Sequence, residues 1–249
     1  KFLDVLDYLE EIDVSMFRLP SNFIPYATHP KYPELEWRKQ IRESKSELRS
    51  VRERLEQRPV RLSFHPSQFV LLNSPRKEVT RNSIEELRWQ SRLLDALQCP
   101  LEARVLLHVG GVYNDRRSAE NRLYKAIKRL PGYVLDRFAL ENDDTSWNAS
   151  QVEKICRNSG VPMIFDVHHH ACLNNGESWL EELQKALRTW PTGVRPKIHF
   201  SSSRLQMEAD KPKKKKEAAE IPTHKKLNLR AHSDYIDPFV FDRFRRKCL

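Results

Sequence analysis

Short apolar runs separated by amphipathic segments organise this chain. Residues 1–12 place Phe2, Leu3, Leu6 and Leu9 on one face at helical spacing, and 37–57 do the same with Ile41, Leu48, Val51 and Leu55. Further helices are predicted over 82–98, capped by Asn82 or Ser83, over 116–130, over 148–158 with Gly160 as C-cap, and over 178–189. Between them lie the runs SMFRL (15–19), VRLSF (60–64), RVLLHV (104–109), RFALE (137–141), PMIFD (162–166) and PKIHF (196–200). These runs are short and nearly all apolar, as strands are when both faces of a parallel sheet are buried. Alternation of this kind predicts an α/β fold. On the pattern alone, a doubly wound sheet and a TIM barrel both remain open.

Composition narrows the function classes. With 249 residues, of which 39% are hydrophobic, the chain suits one barrel-sized domain, and we read 1–249 as a single domain. Residues 203–230 break the rhythm and carry the run KPKKKK at 211–216. They read as a basic, mobile insertion in which a solvated loop is the plain interpretation, and DNA-phosphate contact or a nuclear address are lesser ones. No run of about 18 apolar residues argues for a membrane span. KFLDVLDYLEEI at the start lacks the basic-then-apolar form of a signal peptide. The four cysteines (99, 156, 172 and 248) form no CxxC pair, which argues against a thiolate zinc site and for a reducing compartment. The net charge of +10 favours a polyanionic partner, nucleic acid above all.

Candidate chemistry collects where the strands end. His65 follows VRLSF, His108 lies near the end of RVLLHV, Glu141 closes RFALE, Asp166 closes PMIFD, and His199 sits near the end of PKIHF. A lone histidine at a strand end is usually a hydrogen-bonded core residue. Five such residues in succession are different, because side chains at the C-terminal ends of parallel strands converge on one site, and buried carboxylates need compensating cations. Imidazole and carboxylate together suit manganese, zinc or iron. In FDVHHH the strand is expected to end at Asp166 and the chain to turn, bringing His169 to Asp166 and leaving His168 and His170 further out. Lys197 shares a face with His199 by strand alternation. An ammonium there would be repelled by metal cations, so it either turns away or reacts with carbon dioxide to give a carbamate.

Several motifs in order, "FRLPSNFIPYATHP", "SFHPSQFVLLNSP", "LLHVGGVYNDR", "ALENDD", "FDVHHHACLN", "RPKIHFSSS" and "RAHSDYI", resemble the UV damage endonucleases, TIM-barrel DNA-repair enzymes related to endonuclease IV-type barrels and sugar isomerases. The resemblance runs from about residue 14 to about 236. It implies a (β/α)8-type barrel that in this chain lacks its first and last strands, and with the last strand a further glutamate ligand, as in a partial or degenerate member. It implies a metal-dependent endonuclease, a hydrolase that nicks damaged double-stranded DNA immediately 5′ to UV photoproducts, cyclobutane dimers and 6-4 products. The implied cofactor is a cluster of divalent metals, manganese first, with zinc, cobalt or magnesium as alternatives. The implied metal ligands are His29, His65, His108, Glu141, Asp166, His169, His199 and His232. Lys197 matches a lysine that is carboxylated in some members, and Glu141, Asp166 and Lys197 form the catalytic set. Gln68 and Phe69 match a lesion-probing pair whose second residue is usually Tyr. A monomer is implied, located in the cytoplasm or nucleoid of a prokaryote or in the nucleus of a eukaryote. The alternatives are a metal-dependent sugar isomerase or epimerase, and an inactive lesion-binding module.

Overall fold

The computed structural model describes residues 1–204 and 229–248, so the 211–216 lysine run lies outside the described residues. Among the described residues six strands form one parallel sheet: β1 (Met16–Leu19), β2 (Arg61–Phe64), β3 (Arg104–His108), β4 (Phe138–Glu141), β5 (Met163–Asp166) and β6 (Ile198–His199). Their spatial order is their chain order, each strand hydrogen-bonded to the next. A doubly wound sheet would reverse that order at a switch point. The unbroken order instead makes a curled six-stranded half-barrel of the TIM type.

Helices α1 (Phe2–Glu11), α2 (Trp37–Glu43), α3 (Lys45–Gln57), α4 (Lys77–Ala96), α5 (Arg116–Ile127), α6 (Gly132–Leu135), α7 (Ala149–Ser159), α8 (Val167–Cys172), α9 (Trp179–Leu187) and α10 (Pro238–Cys248), with a short 3-10 turn over Pro33–Leu35, complete the described elements. The helix expected over 37–57 breaks at Ser44 into α2 and α3. The helix expected from residue 82 starts at Lys77, just after Pro75, and neither Asn82 nor Ser83 caps it. Ser83 lies inside α4, where its hydroxyl donates to Val79 O (2.7 Å) and accepts from Leu71 N (2.8 Å), tying the helix to the loop after β2. Helix α7 has the sequence-legible ends: Asn148 and Gln151 form a capping box, and Gly160 takes the left-handed conformation (φ +70°) at the C-cap. Helix α10 was not anticipated; Phe244 anchors it against Trp179 and Phe200 at 5.1 and 5.0 Å between ring centroids.

Two apolar layers hold the sheet. On the outer face, Phe64, Val105, Leu107, Leu140 and Phe165 are buried with the helices, and Phe64 meets Trp89 of α4 edge-on at 5.3 Å. Truncating a side chain such as Phe64 costs about 3–5 kcal/mol. On the inner face, Leu106, Ala139 and Ile164 pack with Trp190 as a separate small cluster. Strand alternation thus sends residues 104, 106 and 108 inward and 105 and 107 outward. No helix among the described residues is long and apolar enough to cross a membrane.

Candidate metal centre

Register places the chemistry. Strand pairing sets His108 directly beside Glu141, and Asp166 directly beside His199. Glu141 is 1% exposed and lies at the middle of the group. Its Oε1 is 2.7 Å from His199 Nδ1, which donates to it in the Nδ1–H tautomer. Its Oε2 is 3.1 Å from His65 Nε2 and 4.0 Å from His108 Nε2, yet neither contact is an aligned hydrogen bond, and this buried oxygen has no hydrogen-bond partner. His65 and His108 stand 5.1 Å apart between ring centroids, His108 and His169 5.3 Å.

Beyond Asp166 the chain enters a helix, α8, rather than an open turn. The physical reason is a cap: Asp166 Oδ1 accepts from His169 N at 2.8 Å. The D-x-x-H spacing is therefore an N-cap spacing, and it brings His169 Nδ1 to 3.7 Å from Asp166 Oδ2. The same Nδ1 is 2.9 Å from Asn142 O, which makes it the protonated nitrogen and leaves Nε2 with a free lone pair. That Nε2 faces His232 Nε2 at 3.3 Å, while His232 Nδ1 is 2.8 Å from Ser201 Oγ. His168 turns to Arg230 O (3.3 Å) and His170 to Glu177 O (3.2 Å), both outside the cluster.

Charge in the site is unbalanced. Burial alone would raise the Glu141 carboxyl, but the facing imidazoles of His199, His65 and His108 outweigh it and hold it well below the usual carboxylate range. Asp166 goes the other way, raised by burial and by repulsion from Glu141. Burial lowers His108, favouring the neutral imidazole that ligates metals. Lys197 is buried, its Nζ donates to Ser63 Oγ at 2.8 Å, and burial brings its pKa down to about 8.

Among the described residues two groups could hold a metal ion: His65, His108 and Glu141, and Glu141, Asp166 and His199, each with its donor atoms within 4.8 Å of one another. Glu141 belongs to both. The orphaned Glu141 Oε2 is the observation that fits a cation here, since a buried anionic oxygen without a donor is costly.

The other singled-out residues are placed differently. His29 is exposed on the loop after β1, its ring edge-on to Tyr26 and tilted against Tyr32 and its Nδ1 accepting from Lys31 N at 3.2 Å; neither of the two groups that could hold a metal includes it. Gln68 and Phe69 occupy a turn three and four residues beyond His65, closed by Val70 N to Ser67 O (3.0 Å), and Phe69 is 76% exposed. One residue escaped the sequence reading. Asn142 is fully buried, and its amide clasps the end of β5, donating to Asp166 O (3.0 Å) and accepting from Asp166 N (2.9 Å). The available signal was a second polar residue immediately after Glu141, which alternation turns away from the site and which burial obliges to find partners.

The chain is 34% identical over 196 residues to the UV DNA damage endonuclease of Bacillus pumilus (strain SAFR-032), covering 78% of this chain and 60% of that protein. It is 33% identical over 235 residues to the UV DNA damage endonuclease of Bacillus cereus (strain G9842), covering 94% of this chain and 66% of that one. The chain thus spans somewhat less than two thirds of the length of these relatives. Among solved structures, that of SacUVDE matches with a TM-score of 0.80 and 31% identity, over 98% of this chain and 74% of that chain. A D-psicose 3-epimerase, 13% identical with a TM-score of 0.55 over 85% of this chain and 72% of that chain, shares the fold. The model of the family UV-endonuclease UvdE matches residues 1–242, and the chain belongs to that family.

Proposed function

We propose that this chain is the catalytic part of a repair endonuclease that nicks double-stranded DNA immediately 5′ to UV photoproducts, acting as a monomer and as one domain. The observation that carries the reading is Glu141, a buried carboxylate shared by two groups of metal-ligand type, with an orphaned oxygen between them. A divalent metal cluster, manganese in this reading, would be held by His65, His108, Glu141, Asp166, His169 and His199, with His232 beside His169 and His29 joining only if its loop moves. When bound, the cluster supplies Lewis-acid polarisation of the scissile phosphate, an activated water and stabilisation of the leaving 3′ oxygen.

The chain's own residues do the rest. Asn142 fixes Asp166 through its backbone and His169 through its tautomer. Lys197, with its pKa near 8, keeps a neutral fraction whose Nζ attacks carbon dioxide, forming an N–C bond and losing a proton to give a carbamate. This carbamate would be a third anionic donor. Gln68 and Phe69 probe the duplex, the exposed ring acting as an apolar wedge where a dimerised step is already poorly stacked. The net charge of +10 draws the chain to phosphate by counterion release.

The test is an end-labelled duplex carrying one cyclobutane dimer, beside undamaged and abasic duplexes, with manganese and with EDTA. A manganese-dependent nick 5′ to the dimer, lost in Glu141→Gln, is the expected result. Preference for the abasic duplex moves the substrate assignment, and metal-dependent binding without a nick points to a lesion-binding module. If none of the duplexes is cut or bound, the nuclease reading falls.

A further inference from the structure

The opposite end of the barrel carries a second charged cluster. Arg61 begins β2 and Arg104 begins β3, on neighbouring strands. Both guanidinium carbons lie over the ring of Trp190, at 5.8 and 5.2 Å from its centroid. Trp190 itself is fixed by Nε1 donating to Met163 O at 2.6 Å. Arg104 is 2% exposed and Arg61 half-buried, so Arg61 is the more accessible of the two.

Among the described residues, every hydrogen bond of these two side chains ends on a backbone carbonyl. Arg61 Nε donates to Glu102 O (2.9 Å) and Nη1 to Pro196 O (3.0 Å), while Arg104 Nη1 donates to Asp136 O (2.6 Å). Arg61 Nη2 and Arg104 Nε are buried donors with no partner. Nearby Arg137 shows the usual solution, donating from Nε to the Asp95 carboxylate at 2.7 Å. No such carboxylate bonds Arg61 or Arg104 among the described residues; Glu102 acts on both, and Asp136 on Arg104, only at longer range. Burial, then mutual repulsion, weakens the hold of Arg104 on its proton, to a pKa of about 10. One buried and one half-buried cation, two idle donors and a shared aromatic face make a site short of an anion.

We propose that Arg61 and Arg104 form a binding site for a small oxyanion on the floor of the barrel, separate from the histidine cluster. Arg104 and His108 are the two ends of β3, four residues and roughly 13 Å apart. The ligand class is one whose oxygens accept from both guanidinium groups at once, either free phosphate or a carboxylate.

The probes are inorganic phosphate and, separately, acetate, titrated into EDTA-treated protein at constant ionic strength set with chloride. Binding is read by calorimetry and by the rise in melting temperature. Saturable binding of phosphate identifies the free dianion as ligand, and binding of acetate alone identifies a carboxylate. Arg61→Gln, at the half-buried position, is expected to weaken the dissociation constant about tenfold or more, and Arg61→Lys to restore only part of it, because the ammonium lacks the planar fork. His199→Ala, at the other end of the barrel, is expected to leave the binding unchanged. Absence of saturable binding by either anion overturns the proposal. So does binding that survives Arg61→Gln or disappears in His199→Ala.

Discussion

Glu141→Gln is the most informative perturbation, because among the described residues Glu141 alone belongs to both groups that could hold a metal. For EDTA-stripped wild-type protein given manganese at about 100 times its dissociation constant, linkage adds about 2.7 kcal/mol. In a chain of 249 residues each kcal/mol moves the melting temperature by roughly 2–4 °C, so the expected rise is roughly 5–11 °C. Glutamine keeps the shape but offers no anionic oxygen to either group. A hundredfold loss of affinity would reduce the added stability to about 0.4 kcal/mol and the rise to roughly 1 °C. The metal-free proteins should differ far less. The variant loses a charge-assisted hydrogen bond from His199, worth about 1.5–3 kcal/mol, but also sheds the cost of a buried charge and its repulsion of Asp166. Asp166→Asn touches one group only and should fall between the two. Differential scanning calorimetry with and without manganese reads the six melting temperatures of the three proteins. A Glu141→Gln protein that keeps the full metal-induced rise would refute the assignment of Glu141 as the shared ligand.

Other consequences follow from individual side chains. Lys197 has its pKa lowered from 10.5 to about 8, so between those values the unfolded chain binds a proton that the folded one does not, and stability rises with pH by about 3 kcal/mol. Lys197→Met should abolish that alkaline rise in denaturation midpoints measured in carbonate-free buffer; an unchanged slope would mean that the ammonium is not the cause. Phe69→Ala should leave stability within about 0.5 kcal/mol, since the ring is 76% exposed, but weaken binding to a dimer-containing duplex roughly 5- to 150-fold in a filter or anisotropy assay. Asn142→Ala removes two buried hydrogen bonds to Asp166 and should cost about 2–3 kcal/mol in urea denaturation. It should also weaken manganese affinity about 10- to 100-fold although no ligand is removed, and an unaltered affinity would show that the clasp is structural only.

What could be read before folding was local. Apolar runs of five or six residues located all six strands among the described residues; β2–β5 are buried nearly throughout and so are mostly apolar, whereas β1 and β6 at the edges of the sheet are only partly buried. Gly160 announced the end of α7 for an equally local reason, a backbone angle only glycine adopts freely, while the capping box of Asn148 and Gln151 at its start was found only in the structure. The strand-end residues His65, His108, Glu141, Asp166 and His199 were visible too, because each sits at the same place in its own repeat.

Distances across the barrel were not local, and only the tertiary structure decided them. His29 and His232 are both histidines in loops, yet one stands among Tyr26 and Tyr32 and the other faces His169, because separate loop closures place them. Asp166 and His169 were paired by expectation through a turn; a helix cap does it instead, at a spacing both structures share. The role of Asn142 depends on β5 lying beside β4 in one particular register, which no single segment encodes. Whether the strands would form a doubly wound sheet or a curled barrel was likewise settled by their order in space. The sequence by itself determined which residues are fit to fold into strands and to bind metal; the curl and stagger of the parallel sheet determined which of them meet, because side-chain alternation repeats within a strand while register is set between strands.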